Sequence, residues 1–228
     1  MIALITATLS STAQENLSFT AYGGGIRPGL SEFNKDKIAF ESVTRFLVGA
    51  GLSYRSNGRF EYGLNAEHHV RQYTLLVKDC NCKLFIDDFS SIGLIFRASY
   101  SLLNPAKRSS LLIGGGFSLL MDYGSWNILH AKDSSDNYIL EQNYRFDLYQ
   151  PYLLAFGSLS YEYEVSPVFR LFADLRVHAG IYNSGTVKDV RVVYQNTNTG
   201  VAFDNTFRFN NFDKYLSFGF KYNLFGRN

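Results

Sequence analysis

Two adjacent histidines, His68 and His69, stand near the end of an alternating stretch. Imidazole is the side chain best suited to moving protons near neutral pH. A lipid-modifying enzyme would need a serine beside such a histidine on the same face, and neither Ala66 nor Val70, two residues away, supplies one. Rim histidines without catalysis are the expected reading. Glu61, Glu67, Glu164 and Asp174 could pair on paper as general acid and base, but nothing fixes their spacing. Cys80 and Cys82 form one C-x-C. In an oxidising space they could close a short, strained disulfide, whereas two thiols alone fall short of a four-ligand zinc site. A loop pair or a local staple is expected. The triplets Gly23-Gly24-Gly25 and Gly114-Gly115-Gly116 lie in strand-like runs, where glycine permits close packing or a bend more often than it cradles phosphate. There is no Walker loop, no G-x-S-x-G and no H-E-x-x-H. No catalytic, cofactor-binding or metal-ligating residue is assigned, and the chain is expected not to be an enzyme.

The elements that would carry these residues follow from composition and period. The chain has 228 residues, 18% charged and 16% aromatic, with 20 Phe, 16 Tyr and 19 Gly. Few charges with many rings and glycines suit β structure, and in particular a barrel with aromatic rims. A net charge of +2 with no basic run gives no argument for nucleic acid. No stretch of about 18 apolar residues marks a transmembrane helix, but a spanning strand needs only about 10 residues, of which alternate ones face lipid.

Period two dominates. Phe46, Val48, Ala50, Leu52 and Tyr54 alternate with Leu47, Gly49, Gly51, Ser53 and Arg55, and Asn57-Gly58 then signals a hairpin. Phe60, Tyr62, Leu64, Ala66 and Val70 share the next apolar face, broken only by His68. Five further runs follow: Ile92 to Leu102, Leu111 to Tyr123, Leu153 to Val165, Phe169 to Ala179 and Leu216 to Leu224. A Gly-rich run over about Leu17 to Arg27 makes eight. Connections alternate between short (56–59, 103–108, 165–167) and long (28–41, 74–88, 124–145, 183–213), the layout of an outer-membrane barrel. The expected fold is an all-β, antiparallel, up-and-down transmembrane β-barrel of eight strands, with both termini periplasmic. Within 183–213, Val187 to Tyr194 and Val201 to Phe207 flank a polar Asn196 to Gly200. Two readings stay open there: a hairpin extending strands seven and eight beyond the bilayer, or two extra strands, making ten.

Residues 1–13 (MIALITATLSSTA) are apolar and then small, as at the end of a secretory signal cleaved near Ala13. The basic start of such a signal is missing; an ordinary first strand or a tail is the alternative. Residues 14–228 would then be the barrel domain.

A soluble barrel also alternates, but puts its apolar face inside. Here the apolar faces are continuous, rings recur near strand ends, and the opposite faces are rich in Gly and Ser with a minority of charges. Eight strands leave an interior just wide enough for side chains. Glu61, Glu67, Arg71, Arg97, Arg170, Asp174, Arg176 and Lys221 are therefore expected to form a polar network across the lumen, packed rather than conducting, since unpaired they would be costly.

The stretch from Phe46 to Tyr73 (FLVGAGLSYRSNGRFEYGLNAEHHVRQY) resembles the small Gram-negative outer-membrane β-barrel domain family that includes the PorT-like proteins. The final LSFGFKYNLF is similar to the terminal strand that the barrel-assembly machinery recognises, although Gly226-Arg227-Asn228 follows its last Phe. The resemblance covers most of residues 16–228 and is one of pattern. It implies an outer membrane location and a barrel, and carries no shared catalytic residues. Outer-membrane lipid, the assembly machinery and other envelope proteins are the expected partners. Three functions remain open: a structural or interaction barrel acting through its long loops, a narrow porin-like solute channel, or a lipid-modifying enzyme.

Overall fold

The structure is a computed structural model. It describes residues 17–29, 34–35, 38–56, 59–77, 82–85, 89–103, 108–123, 130–132, 138–146, 151–182, 187–196, 202–207 and 212–225. Eight long strands form the barrel: β1 (Leu17–Arg27), β2 (Arg45–Ser56), β3 (Phe60–Val77), β4 (Phe89–Ser101), β5 (Ser109–Tyr123), β6 (Pro151–Ser166), β7 (Phe169–Tyr182) and β8 (Lys214–Asn223). Each pairs antiparallel with its neighbours in sequence. β1 also pairs with β8, from Ser18 opposite Asn223 to Arg27 opposite Lys214, and this seam closes the sheet. Closure leaves no unpaired edge, the condition for a sheet to survive in lipid.

The register fixes the shape. Direct partners can be followed once around the wall, through Phe169, Tyr222, Phe19, Leu52, Leu64, Phe96, Phe117, Ala155 and Ala179. The path returns to β7 ten residues from its start. Ten residues of rise over eight strand spacings tilt the strands by about 40°. Every side chain on this path belongs to the outward set, so the pleat keeps one face apolar all the way round.

The outward face is apolar and uncovered. Phe46, Leu64, Phe117, Leu175 and Phe218 are each about half exposed. At the short-turn end this face becomes aromatic. Phe60 meets Tyr100 edge-on at 5.0 Å, Phe169 stacks on Phe220 at 5.7 Å, and Arg59 donates to the Tyr100 hydroxyl at 2.8 Å. So large an apolar belt, bounded by rings, is the surface of a protein whose solvent is lipid.

At the other end the chain does more than loop. β3 runs 18 residues, and its last stretch leaves the barrel to pair with Ile38–Val43 on one side and Cys82–Phe85 on the other. Residues 74–77, expected in a loop, are therefore strand. Val187–Asn196 and Ala202–Phe207 form a hairpin, as one of the two open readings had it. Its links to β7 and β8, residues 183–186 and 208–211, lie outside the described residues. Tyr138–Phe146 pairs with Val187–Asn196, and His130–Lys132 pairs with Tyr138–Phe146, so the third and fourth long segments share a four-stranded sheet. The barrel keeps eight strands.

Candidate functional site

Period two sends every second side chain of the wall into the lumen, and there the charges meet. Nearest the short turns, Arg170 of β7 donates to Glu164 of β6 at 2.9 Å. Just inside, Arg55 Nη2 reaches Glu61 at 2.7 Å and Glu162 at 2.5 Å, and Lys221 Nζ binds the same two carboxylates. Two cations and two anions from β2, β3, β6 and β8 thus neutralise one another across the bore. The next layer holds Arg97 Nη1 3.0 Å from Asp174, with Ser160 hydrogen-bonded to both. Arg176 follows, 2.8 Å from Glu67 and 3.0 Å from Asp174, with Tyr22 donating to Glu67 at 3.0 Å. Near the far mouth Arg71 binds Asp213 and the Tyr152 hydroxyl, each at 2.7 Å. Asp213 also accepts from the Gly29 amide at 3.2 Å, joining the bases of the first and fourth long segments.

The pairs balance. Arg55, Arg71, Arg97, Arg170, Arg176 and Lys221 face Glu61, Glu67, Glu162, Glu164, Asp174 and Asp213, six of each sign in these pairs; Arg45 shares the inward parity. Burying such groups is tolerable only when they are paired and hydrogen-bonded.

All eight residues that the strand pattern sends inward lie in the lumen. They are not one cluster: Arg71 stands at the long-segment mouth, Arg170 at the other, and the remaining six occupy the layers between. Arg55, Glu162, Glu164 and Asp213 complete the pairs. Arg55, Glu162 and Glu164 carry the same inward parity, so the signal for them was present; Asp213 precedes its strand and had none. The histidines part company, because adjacent strand residues face opposite ways. His68 points outward between Phe46 and Tyr123, with ring centroids at 6.2 and 5.9 Å. His69 points inward and is fully buried. They cannot act on one substrate. The Cys80–Cys82 pairing and residues 1–13 lie outside the described residues.

Toward the long segments the lumen also holds an apolar layer that alternation did not reveal. Ile95, Leu120, Tyr152, Leu154 and Phe156 form one buried cluster; Ile26, Leu47 and Tyr215 form a second. His178 lies among them, 5.0 Å from the Phe156 ring and 4.2 Å from the Tyr215 ring. Inner-wall glycines make room for rings. A Cβ on Gly49 would meet the Tyr22 ring, and one on Gly116 would meet first the Phe96 carbonyl and then the Phe156 ring.

Two cavities among the described residues are small. A cavity of about 30 Å³ lies between the charged layers, lined by Tyr22, Asn65, Arg97, Phe172 and Ser217 among others. A second, of about 20 Å³, lies at the short-turn mouth beside Arg55 and Arg170. Each has room for one or two waters.

Solved structures share this architecture. The outer membrane protein OprG from Pseudomonas aeruginosa superposes with a TM-score of 0.57 at 9% identity, over 92% of this chain and 96% of that one. Neisserial surface protein A gives 0.52 at 14% identity, over 91% and 97%. The chain therefore has the fold of the small eight-stranded outer-membrane β-barrels. No family model matches it and no curated protein matches it, so the likeness to PorT-like proteins rests on the strand pattern alone.

Proposed function

We propose that this chain is a non-conducting outer-membrane barrel, with both termini periplasmic, that works as a structural or interaction protein through its long segments and is not an enzyme. The observation that carries the reading is the filled lumen. Six ion pairs' worth of charge and a layer of rings and branched side chains occupy the bore, and the cavities left hold a water or two. A hydrated ion would have to displace paired, buried charges to pass, at a cost of several kcal/mol each. The direct cross-strand partners of the outward His68 are Val48 and Ile92, and neither is a serine. The built surface at the long-segment end, with its two small sheets, is where envelope partners would dock. Outer-membrane lipid and, during biogenesis, the barrel-assembly machinery are the further partners of this reading.

Single-channel recording in planar bilayers tests it. The purified barrel is expected to insert without stable current steps. A sustained, ion-selective current that changes with Arg176→Met would overturn the reading in favour of the narrow channel.

A further inference from the structure

His178 lies on the inward face of β7, two residues past Arg176 and close to the end of the strand at Tyr182. Its ring stacks on Phe156, its direct cross-strand partner on β6, and is covered by Tyr215 of β8. Both ring nitrogens are buried and without a hydrogen-bond partner among the described residues. Neither of the two cavities is lined by this residue.

The charges around the ring already balance. Arg176 is held by Glu67 of β3 and by Asp174 of its own strand, and Arg71 of β3 is held by Asp213, which precedes β8. The hydroxyls of Tyr22 on β1 and Tyr215 on β8 donate to Glu67 and Asp213, and that of Tyr152 on β6 accepts from Arg71. His69 of β3 has Glu67 3.8 Å away. A proton on His69 would thus meet a carboxylate. A proton on His178 would meet two aromatic rings, with the guanidiniums of Arg176 and Arg71 beyond them. A buried cation without an anion of its own is strongly unfavourable, so a protonated ring is driven toward water.

Toward the short turns that path is closed by the ion pairs of Arg176. The other way leads past Tyr215 to the long-segment mouth, and the closure of that mouth is tied to the same residue. The His178 amide donates to the Asp213 carbonyl at 2.9 Å, while the Asp213 carboxylate binds Arg71 and the Gly29 amide. Tyr215 follows Asp213 by two residues, so lifting its ring off the imidazole pulls on that junction. We infer that His178 is an acid-sensitive latch: a proton on its ring opens the long-segment mouth at Asp213 and Tyr215, while the charged layers below stay closed. This goes beyond the proposed function, because it gives the sealed end a condition under which it opens. An imidazole released to water takes up a proton near its ordinary value of about pH 6.5. The open form therefore gains about tenfold in population for each pH unit below that value.

Amide hydrogen exchange of the full chain in detergent micelles, read residue by residue by NMR, tests the latch. After correction for the slower exchange chemistry in acid, protection of the amide at position 178 is expected to fall about thirtyfold between about pH 7.5 and about pH 5. The amide of Phe172, on the same strand beside the charged layers, should keep its protection. His178→Phe should abolish the fall, and His69→Gln should leave it in place. No fall at position 178, an equal fall at Phe172, persistence of the fall in His178→Phe, or its loss in His69→Gln would overturn the latch. The heat-modified gel shift of each variant shows that the barrel has folded. His178→Gln, which cannot take up a proton, serves if His178→Phe does not fold.

Discussion

Toward the short turns the lumen is held by charge; toward the long segments it is held by rings and branched side chains. In the first region the carboxylates are bracketed by cations from neighbouring or opposite strands, as Glu61 and Glu162 are by Arg55 and Lys221. Buried polar atoms without a hydrogen-bond partner occur in both, Arg55 Nε, Asn65 Oδ1 and Ser217 Oγ in the first, but in the second they include a whole imidazole. Both ring nitrogens of His178 lack a partner, as do His69 Nε2 and Ser118 Oγ. The ion pair of Arg71 with Asp213 caps that region at the mouth. The difference shows two ways to fill the same bore. Charge pairing is directional and punishes the loss of one member. Ring packing tolerates exchange of shape for shape and is indifferent to losing polarity.

The largest effect should come from the charged region. Arg176 lies between Glu67 and Asp174 and is buried. Arg176→Met keeps the bulk and takes from Glu67 its guanidinium, while Asp174 retains Arg97, so it should cost about 3–5 kcal/mol. Urea unfolding of the reconstituted barrel, followed by its gel shift, measures this. A loss below about 1 kcal/mol would mean that water or rearrangement replaces the guanidinium, and the contrast between the two regions would fall.

The effect next in size should have the opposite sign. His178 is fully buried and its ring is sandwiched by Phe156 and Tyr215. An unpartnered buried polar atom carries its desolvation cost with no return. His178→Phe removes two such atoms and keeps a flat ring, so the barrel should gain about 1 kcal/mol in the same unfolding assay. The backbone bond from the His178 amide to the Asp213 carbonyl, 2.9 Å, is untouched. Destabilisation by a similar amount would show that water satisfies the imidazole and that this region is polar after all.

The two regions were not equally legible in the sequence. Strict alternation gives away the eight strands and the inward charges, because a wall with lipid on one side and ion pairs on the other must change polarity at every residue. The apolar layer hides in the same strands because there the alternation stops. Leu94-Ile95-Phe96, Leu119-Leu120-Met121 and Leu153-Leu154-Ala155-Phe156 are apolar on both parities. Such runs signal a strand buried on both faces, which in this barrel means lipid outside and packed rings inside. The pairing of Tyr138–Phe146 with Val187–Asn196 had no local signal, since its two strands are joined through β6 and β7 rather than by a turn.

The charged region should itself be graded by water, and its mouth supplies the smallest effect. Arg170 and Glu164 sit 2.9 Å apart, within the range of the pairs deeper in the bore, but their side chains are 19% and 21% exposed. Solvent at the mouth screens their attraction and would hydrate whichever member is left alone. Arg170→Met should therefore cost less than about 1 kcal/mol, against the several expected of Arg176→Met with the same change of side chain. The ratio between the two isolates burial from chemistry. If Arg170→Met proves as damaging as Arg176→Met, the short-turn mouth is dry, and the seal of the lumen begins at the first ring of charges rather than behind it.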